Sequence, residues 1–374
     1  MLSIVIITGI VLQAVSSVAR PSPLTSTVTA SYTKRDGECT KPSQRIPWTN
    51  LTSTEKSDYI HADLCLMSAP PKNGLPGAQS RWDELQYVHI TQASYIHGVG
   101  AFLPFHRYFV TIHEHLLRDE CGYNGPTPYW DEPLDVGNLS ASALWDTELG
   151  FGGDGAGEDR CIADGPFANA TLHFNMDLSK TEVCITRRFS ERAFSGAERQ
   201  NVDTCLAQGG FEDAWNCLEG APHGAGHGGV SGTMVNPLLS PGDPVFYLHH
   251  GYLDKLFWDW QSLDLPARLT GIGGRNIGGG FGGGFGGFPG FNGTGPDPFG
   301  GDNSTGFFPP PGNFSGFPGP GIVEPLDHAF VDYFNDGGNI TTLNHTLWSG
   351  GIMENVTIGD VMDIRGAFVC AEYL

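Results

Sequence analysis

Asp243–Gln261 reads DPVFYLHHGYLDKLFWDWQ. From Pro244 to Leu263 apolar residues return at helical spacing, so the stretch forms a long helix opened by two adjacent histidines, His249 and His250. Just upstream, His223 and His227 stand four residues apart, a spacing that puts two imidazoles on one helix face where they can chelate one ion. Trp82–Ile90, Pro104–Glu120 and Cys205–Leu218 show the same helical periodicity. Long loops are marked by Asn124-Gly-Pro-Thr-Pro and Phe151-Gly-Gly-Asp-Gly-Ala-Gly, and no sustained period-2 run appears. The chain from Cys39 to about Pro266 is therefore expected to be mostly α, with long loops and little β.

The chain has 374 residues, with 20 Lys+Arg against 41 Asp+Glu for a formal charge of −21. Phosphate backbones and anionic membrane surfaces are bound through clustered Lys and Arg, so neither nucleic acid nor membrane is an expected partner. The length is enough to bury a full core without metal or disulfides, so any metal serves chemistry. Leu2–Val15 is an apolar run followed by Ser17-Val18-Ala19, which reads as a signal peptide over 1–19. Lys34-Arg35 ends a Ser/Thr/Pro-rich stretch, 20–35, that reads either as a propeptide cut before Asp36 or as a plain flexible terminus. Sequons at Asn50, Asn138, Asn169, Asn292, Asn303, Asn313, Asn339, Asn344 and Asn355 fit a secreted glycoprotein. Eight cysteines without a CxxC pair point to as many as four disulfides, one of which, through Cys370, would pin the C-terminus. Residues 36–270 are read as the main domain, and 271–320, rich in Gly, Phe and Pro, as a disordered glycosylated insertion or a Phe-bearing flap. Residues 321–374 return to the same domain.

Thirteen histidines are present, and their positions are not random. His89 lies in a helical pattern, His97 beside Gly98 and Gly100, and His106 inside Phe102-Leu-Pro-Phe-His-Arg-Tyr-Phe, so helix, loop and helix can bring three imidazoles to one point. With His223, His227 and the His249/His250 pair, the chain offers two sets of three imidazoles and no cysteine or carboxylate at ligand spacing. A nitrogen-rich site suits copper. Zinc also accepts three imidazoles, yet two such sites exceed what one catalytic zinc requires. Two copper ions held by neutral ligands point to redox chemistry on O2.

These residues resemble the two copper-binding regions of the tyrosinase and catechol oxidase family, the type 3 dicopper proteins that include molluscan haemocyanins. The resemblance is carried by His97, Phe102, His106-Arg107 and Glu114; by Leu218-Glu-Gly before His223 and His227; and by Asp243-Pro-x-Phe-x2-His-His with Asp254 and Trp258-x-Trp260-Gln261. It covers about Cys39 to Leu265 and, through Asp360-Val-Met-Asp-Ile-Arg-Gly, is closest to the short secreted fungal members. It implies a four-helix bundle holding one copper by His89, His97 and His106 and a second by His223, His227 and His250. His249 would then pack behind the site or line its wall. The implied activity is oxidation of o-diphenols, and of o-aminophenols, to o-quinones by O2 at a type 3 dicopper-peroxide centre. Glu219 matches the family glutamate that orders a water for phenol deprotonation. Asp254 would either accept an imidazole N–H from His250 or pair with a Lys or Arg, and Glu114 would pair with an Arg.

The departures from the family pattern sharpen the expectation. Tyr95 stands where many fungal members carry the cysteine of a thioether bridge, so His97 is unbridged. Gly224 follows His223 where monophenol-hydroxylating members often carry Asn, which favours diphenol oxidation over ortho-hydroxylation. Tyrosinase-type monophenol activity and haemocyanin-like O2 carriage are the alternatives. A redox-silent relative holding zinc or one copper is a third. The run Gly224-Ala-Gly-His-Gly-Gly weakens its helix by ~3–4 kcal/mol against alanine, so metal or packing must hold that turn. His61, His113, His115, His173, His328 and His345 are read as structural or surface residues.

Overall fold

The computed structural model describes residues 38–277 and 334–374. The expected signal peptide, the propeptide and the insertion from residue 278 onward lie outside the described residues, as does His328. The fold is mostly α. Helix α1 (Ser53–Ser68) starts at a capping box in which Thr52 and Glu55 satisfy each other's backbone N–H. Helix α2 (Arg81–Ile96) starts the same way at Ser80 and Asp83. Helix α3 (Phe102–Cys121) is buried continuously from Phe102 to Leu117 and ends at Gly122, whose φ of 70° suits a left-handed cap without a Cβ penalty. A helix buried on every side lies at the centre of a core, its polar side chains paired inside it, and α3 packs against α1, α2 and the last long helix.

A small parallel sheet flanks the helices: β1 (Ser43–Pro47) lies between β2 (Thr127–Tyr129) and the C-terminal β7, Ala371–Tyr373. A hairpin, β3 (Thr171–Phe174) with β4 (Lys180–Cys184), and the two-residue pair β5 (Thr346–Leu347) and β6 (Val356–Thr357) complete the strands among the described residues. The short helix α4 (Glu191–Phe194) leads to α5 (Arg199–Leu206) and α6 (Phe211–Leu218). The chain continues through a π-type turn, Glu219–His223, into α7 (Gly224–Val230), and then α8, Val245–Ser262. A last turn, α9 (Ile358–Val361), packs on α3. Helices α2, α3, α7 and α8 form the bundle around the histidines.

Helix α8 begins where Asp243 dictates. The Asp243 carboxylate accepts the Val245 N–H at 3.0 Å and both Arg187 Nε–H and Nη2–H at 2.8 Å, all of them buried. Further along, Asp254 binds Arg45 at 2.8 Å, Arg107, and the Tyr373 hydroxyl at 2.7 Å. Glu114 takes Arg45 and Arg118, as expected of it. Of the two roles left open for Asp254, the ion pair is the one found. The carboxylate joins β1, α3, α8 and β7, and no hydrogen bond runs to His250.

All eight cysteines are bridged: Cys39–Cys370, Cys65–Cys121, Cys161–Cys184 and Cys205–Cys217. The first ties the C-terminal strand to the residues before β1. Residues Gly271–Ile277, assigned above to the insertion, pack instead on the core: Gly100 N–H donates to Arg275 O at 2.8 Å, and Thr341 N–H to Gly274 O at 2.8 Å.

Candidate metal centre

Two groups of histidines meet inside the bundle. His89, on the inner face of α2, His97, at its C-terminal cap, and His106, one turn into α3, place ligand nitrogens within 4.8 Å of one another. His223, His227, His249 and His250 do the same from the π-type turn, α7 and α8. The groups adjoin: the His106 and His250 rings stack at 4.3 Å between centroids. The structure thus brings together all six histidines expected to bind metal. It also places His249 within the second group, where the sequence expectation had it as packing or wall.

The ring nitrogens show what these groups are prepared for. His89 Nδ1–H donates to Leu238 O at 3.2 Å, His97 to Ala93 O at 3.0 Å, His106 to Phe102 O at 2.8 Å and His223 to Glu219 O at 3.1 Å; His227 donates to Met234 O. A donating Nδ1 leaves the Nε2 lone pair available, which fixes the ligand tautomer. The Nε2 atoms of His89, His106 and His223 are buried without a hydrogen-bond partner, and those of His227 and His250 face each other at 3.2 Å. Burial, with mutual repulsion of the rings, drives His89, His106, His223, His227 and His250 well below their ordinary pKa, and burial brings His97 to about 4. Neutral imidazoles with orphaned, converging lone pairs are the donor set of a metal site.

Why the chain bends here is legible in its glycines. A Cβ on Gly226 would stand 2.2 Å from His249 Nδ1 and 2.6 Å from Glu132 Oε1; one on Gly229 would stand 2.6 Å from Phe194. The Gly-rich α7 lets the second histidine group close against its neighbours, so packing holds the turn that propensity alone would not. The π-type turn, with Pro222 inside it, sets His223 one turn after Glu219.

Glu219 lies at the edge between the groups. Its Oε1 accepts the Gly98 N–H at 2.7 Å and its Oε2 the Trp215 indole N–H at 2.6 Å. Burial pushes the carboxyl up to about 7, while Gly98, Trp215 and nearby Arg275 pull it back down. Gly224 offers no side chain to this carboxylate. Three residues at the site carried no signal in the sequence: Trp215, Arg275 and Glu132. Glu132 is fully buried, follows β2 and accepts from His249 Nδ1. Of the histidines read as structural, His113 pairs with Asp63 at 2.9 Å, His173 with Asp83 at 2.9 Å, and His345 with Asp336 at 2.6 Å.

Residues 79–263 match the model of the common central domain of tyrosinase. A tyrosinase-like protein of Diaporthe leptostromiformis is 35% identical over 269 residues, which cover 63% of this chain and 68% of that one. The chain belongs to the tyrosinase family. Tyrosinase P of Aspergillus terreus is 30% identical over 286 residues, 63% of this tyrosinase-family chain and 80% of the relative. A solved polyphenol oxidase from Thermothelomyces thermophila shares the fold at a TM-score of 0.65 and 24% identity, with 89% of each chain covered. An N-acetyl-6-hydroxytryptophan oxidase of Emericella nidulans is 32% identical over 276 residues, 59% of this chain and 75% of its own. The chain spans about two thirds of the Diaporthe relatives, 66% and 68% in two of them. Membership of the tyrosinase family implies a dicopper centre, and the two histidine groups fit it.

Proposed function

We propose that this protein is a secreted copper oxidoreductase that oxidises o-diphenols, and o-aminophenols, to o-quinones with O2, water being the other product. His89, His97 and His106 hold one copper, and His223, His227 and His250 the other. Two coppers in these groups supply the capacity to take electrons from a catechol and reduce O2. The observation that carries the reading is the pair of adjoining neutral histidine groups, with the Nε2 atoms of His89, His106 and His223 buried and unpartnered. Glu219 accepts the phenolic proton at its carboxylate, directly or through one water, and the Gly98 and Trp215 donors keep the carboxylate turned to the edge between the groups. With Gly224 in place of a side-chain amide, nothing on that residue orders a water for a monophenol, so diphenols are the preferred class. The relatives' names span tyrosinases and an oxidase of a hydroxylated tryptophan, which supports aromatic hydroxyl substrates in general.

Secretion is supported by the four disulfides, which suit an oxidising compartment. Asn50, Asn138, Asn169, Asn339, Asn344 and Asn355, the sequon residues among those described, are all exposed and accessible to glycosylation. No described helix is long and apolar enough to cross a membrane.

Oxygen uptake by the copper-loaded protein with catechol and with tyramine, beside a His106→Ala control, tests the proposal. Catechol alone should be turned over. Turnover of both makes the protein a tyrosinase and refutes the Gly224 argument; uptake with neither, at full copper loading, refutes the oxidase reading and favours O2 carriage.

A further inference from the structure

Beyond its pull on the Glu219 carboxyl, the Arg275 cation has no part in the chemistry proposed for the histidine groups. Arg275 is exposed, yet its backbone is fixed: its carbonyl accepts from Gly100 N–H at 2.8 Å and from the Thr341 hydroxyl at 3.1 Å, and it bridges to Ile340. Its side chain is anchored too, since Nε–H donates to the Gly98 carbonyl. That places the guanidinium against the residue directly after His97, with Nη2 3.3 Å from where a Cβ on Gly98 would stand. Among the described residues the side chain makes no other hydrogen bond, so both terminal nitrogens are available. A fixed guanidinium with free Nη atoms matches a planar carboxylate, which it binds through paired N–H donors. The surrounding charge makes this position telling. A chain of formal charge −21 repels anions at long range, so an acidic substrate needs a local cation to be admitted.

We infer that Arg275 is a specificity residue that selects phenolic substrates bearing a carboxylate, holding that group at the rim while the hydroxylated ring reaches the histidine groups beside His97. The inference rests on the oxidase reading above and adds to it the substrate class, phenolic acids. Arg275 touches no reacting atom, so its effect falls on binding.

The test compares 3,4-dihydroxyphenylpropionate with its methyl ester on the copper-loaded full chain. The acid should be preferred by about tenfold in kcat/KM, expressed in KM, as for binding energy realised equally in ground and transition states. In Arg275→Gln the acid-to-ester ratio should collapse to about one, and in Arg275→Lys it should be intermediate, because the charge stays while the fork is lost. Binding of 4-hydroxyphenylpropionate and its methyl ester to the zinc-loaded protein, read by calorimetry without turnover, should show the same preference and the same collapse. An acid-to-ester ratio of one in the wild type, or a ratio that Arg275→Gln leaves intact, overturns the inference. If no catechol is oxidised, the oxidase reading falls, and the zinc-form ratio still decides the role of Arg275.

Discussion

Replacing Gly226 by alanine should destabilise the protein even though it improves local helix propensity. In a helix interior the change gains up to about 1 kcal/mol. At Gly226, however, the new Cβ would lie 2.2 Å from His249 Nδ1, 2.4 Å from His249 Cε1 and 2.6 Å from Glu132 Oε1. Both partners are fully buried and the nearer one, the rigid His249 ring, is not a flexible chain end, so relief requires breaking their hydrogen bond or shifting α7 against α8. Overpacking costs about 1–3 kcal/mol, and a buried polar partner left without its hydrogen bond costs about 1–3 kcal/mol. The net loss is about 2–4 kcal/mol. For a chain of this size that lowers the melting temperature by about 5 °C. Gly220→Ala is the matched control: no atom lies within 4 Å of its Cβ, so it should be neutral or mildly stabilising. Thermal unfolding of both variants, metal-free and with disulfides intact, reads the difference. A Gly226→Ala protein that melts at or above the wild type refutes the packing argument.

Three further outcomes follow from the buried charges and the metal groups. Burial alone would raise the Glu114 pKa, but Arg45, Arg118 and the Ser43 hydroxyl bring it down to about 2. A depressed carboxyl stabilises the fold above its unfolded value and loses that contribution as pH falls, so about 3 kcal/mol should disappear between about pH 4.5 and pH 2. Glu114→Gln should flatten that limb in denaturant titrations while lowering stability at neutral pH. Asp254→Asn should cost about 3–5 kcal/mol by leaving buried Arg45 and Arg107 without their shared counter-charge, read as a lower denaturation midpoint. Removing copper by chelation should lower the melting temperature, and readdition at a thousandfold excess over Kd should restore about 4 kcal/mol per site. A melting curve indifferent to copper would count against a metal role for these histidines.

Much of this centre was legible in the chain because helical periodicity and histidine spacing are local properties. His223 and His227 share a face by spacing alone, and the helices that carry His89, His106 and His250 announce themselves in their apolar patterns. What sequence could not supply was contact between distant segments. Glu132 reaches His249 only because Trp130 N–H pairs with Leu248 O after the chain folds back on α8. Asp254 sits at the right spacing to serve His250, yet two arginines far away in sequence claim it. The glycines of α7 count as a propensity cost in one dimension and as a requirement for close approach in three. Arg275, read as part of a low-complexity stretch, acquires a role only when Gly98 and Gly100 are beside it.

The proposed chemistry requires two copper ions, one in each histidine group. Counting copper per chain by native mass spectrometry, in the wild type and in His227→Ala, tests this most directly. Two coppers in the wild type and one in the variant are expected. A single copper in the wild type that survives the substitution would contradict the dicopper centre and the oxidase chemistry drawn from it.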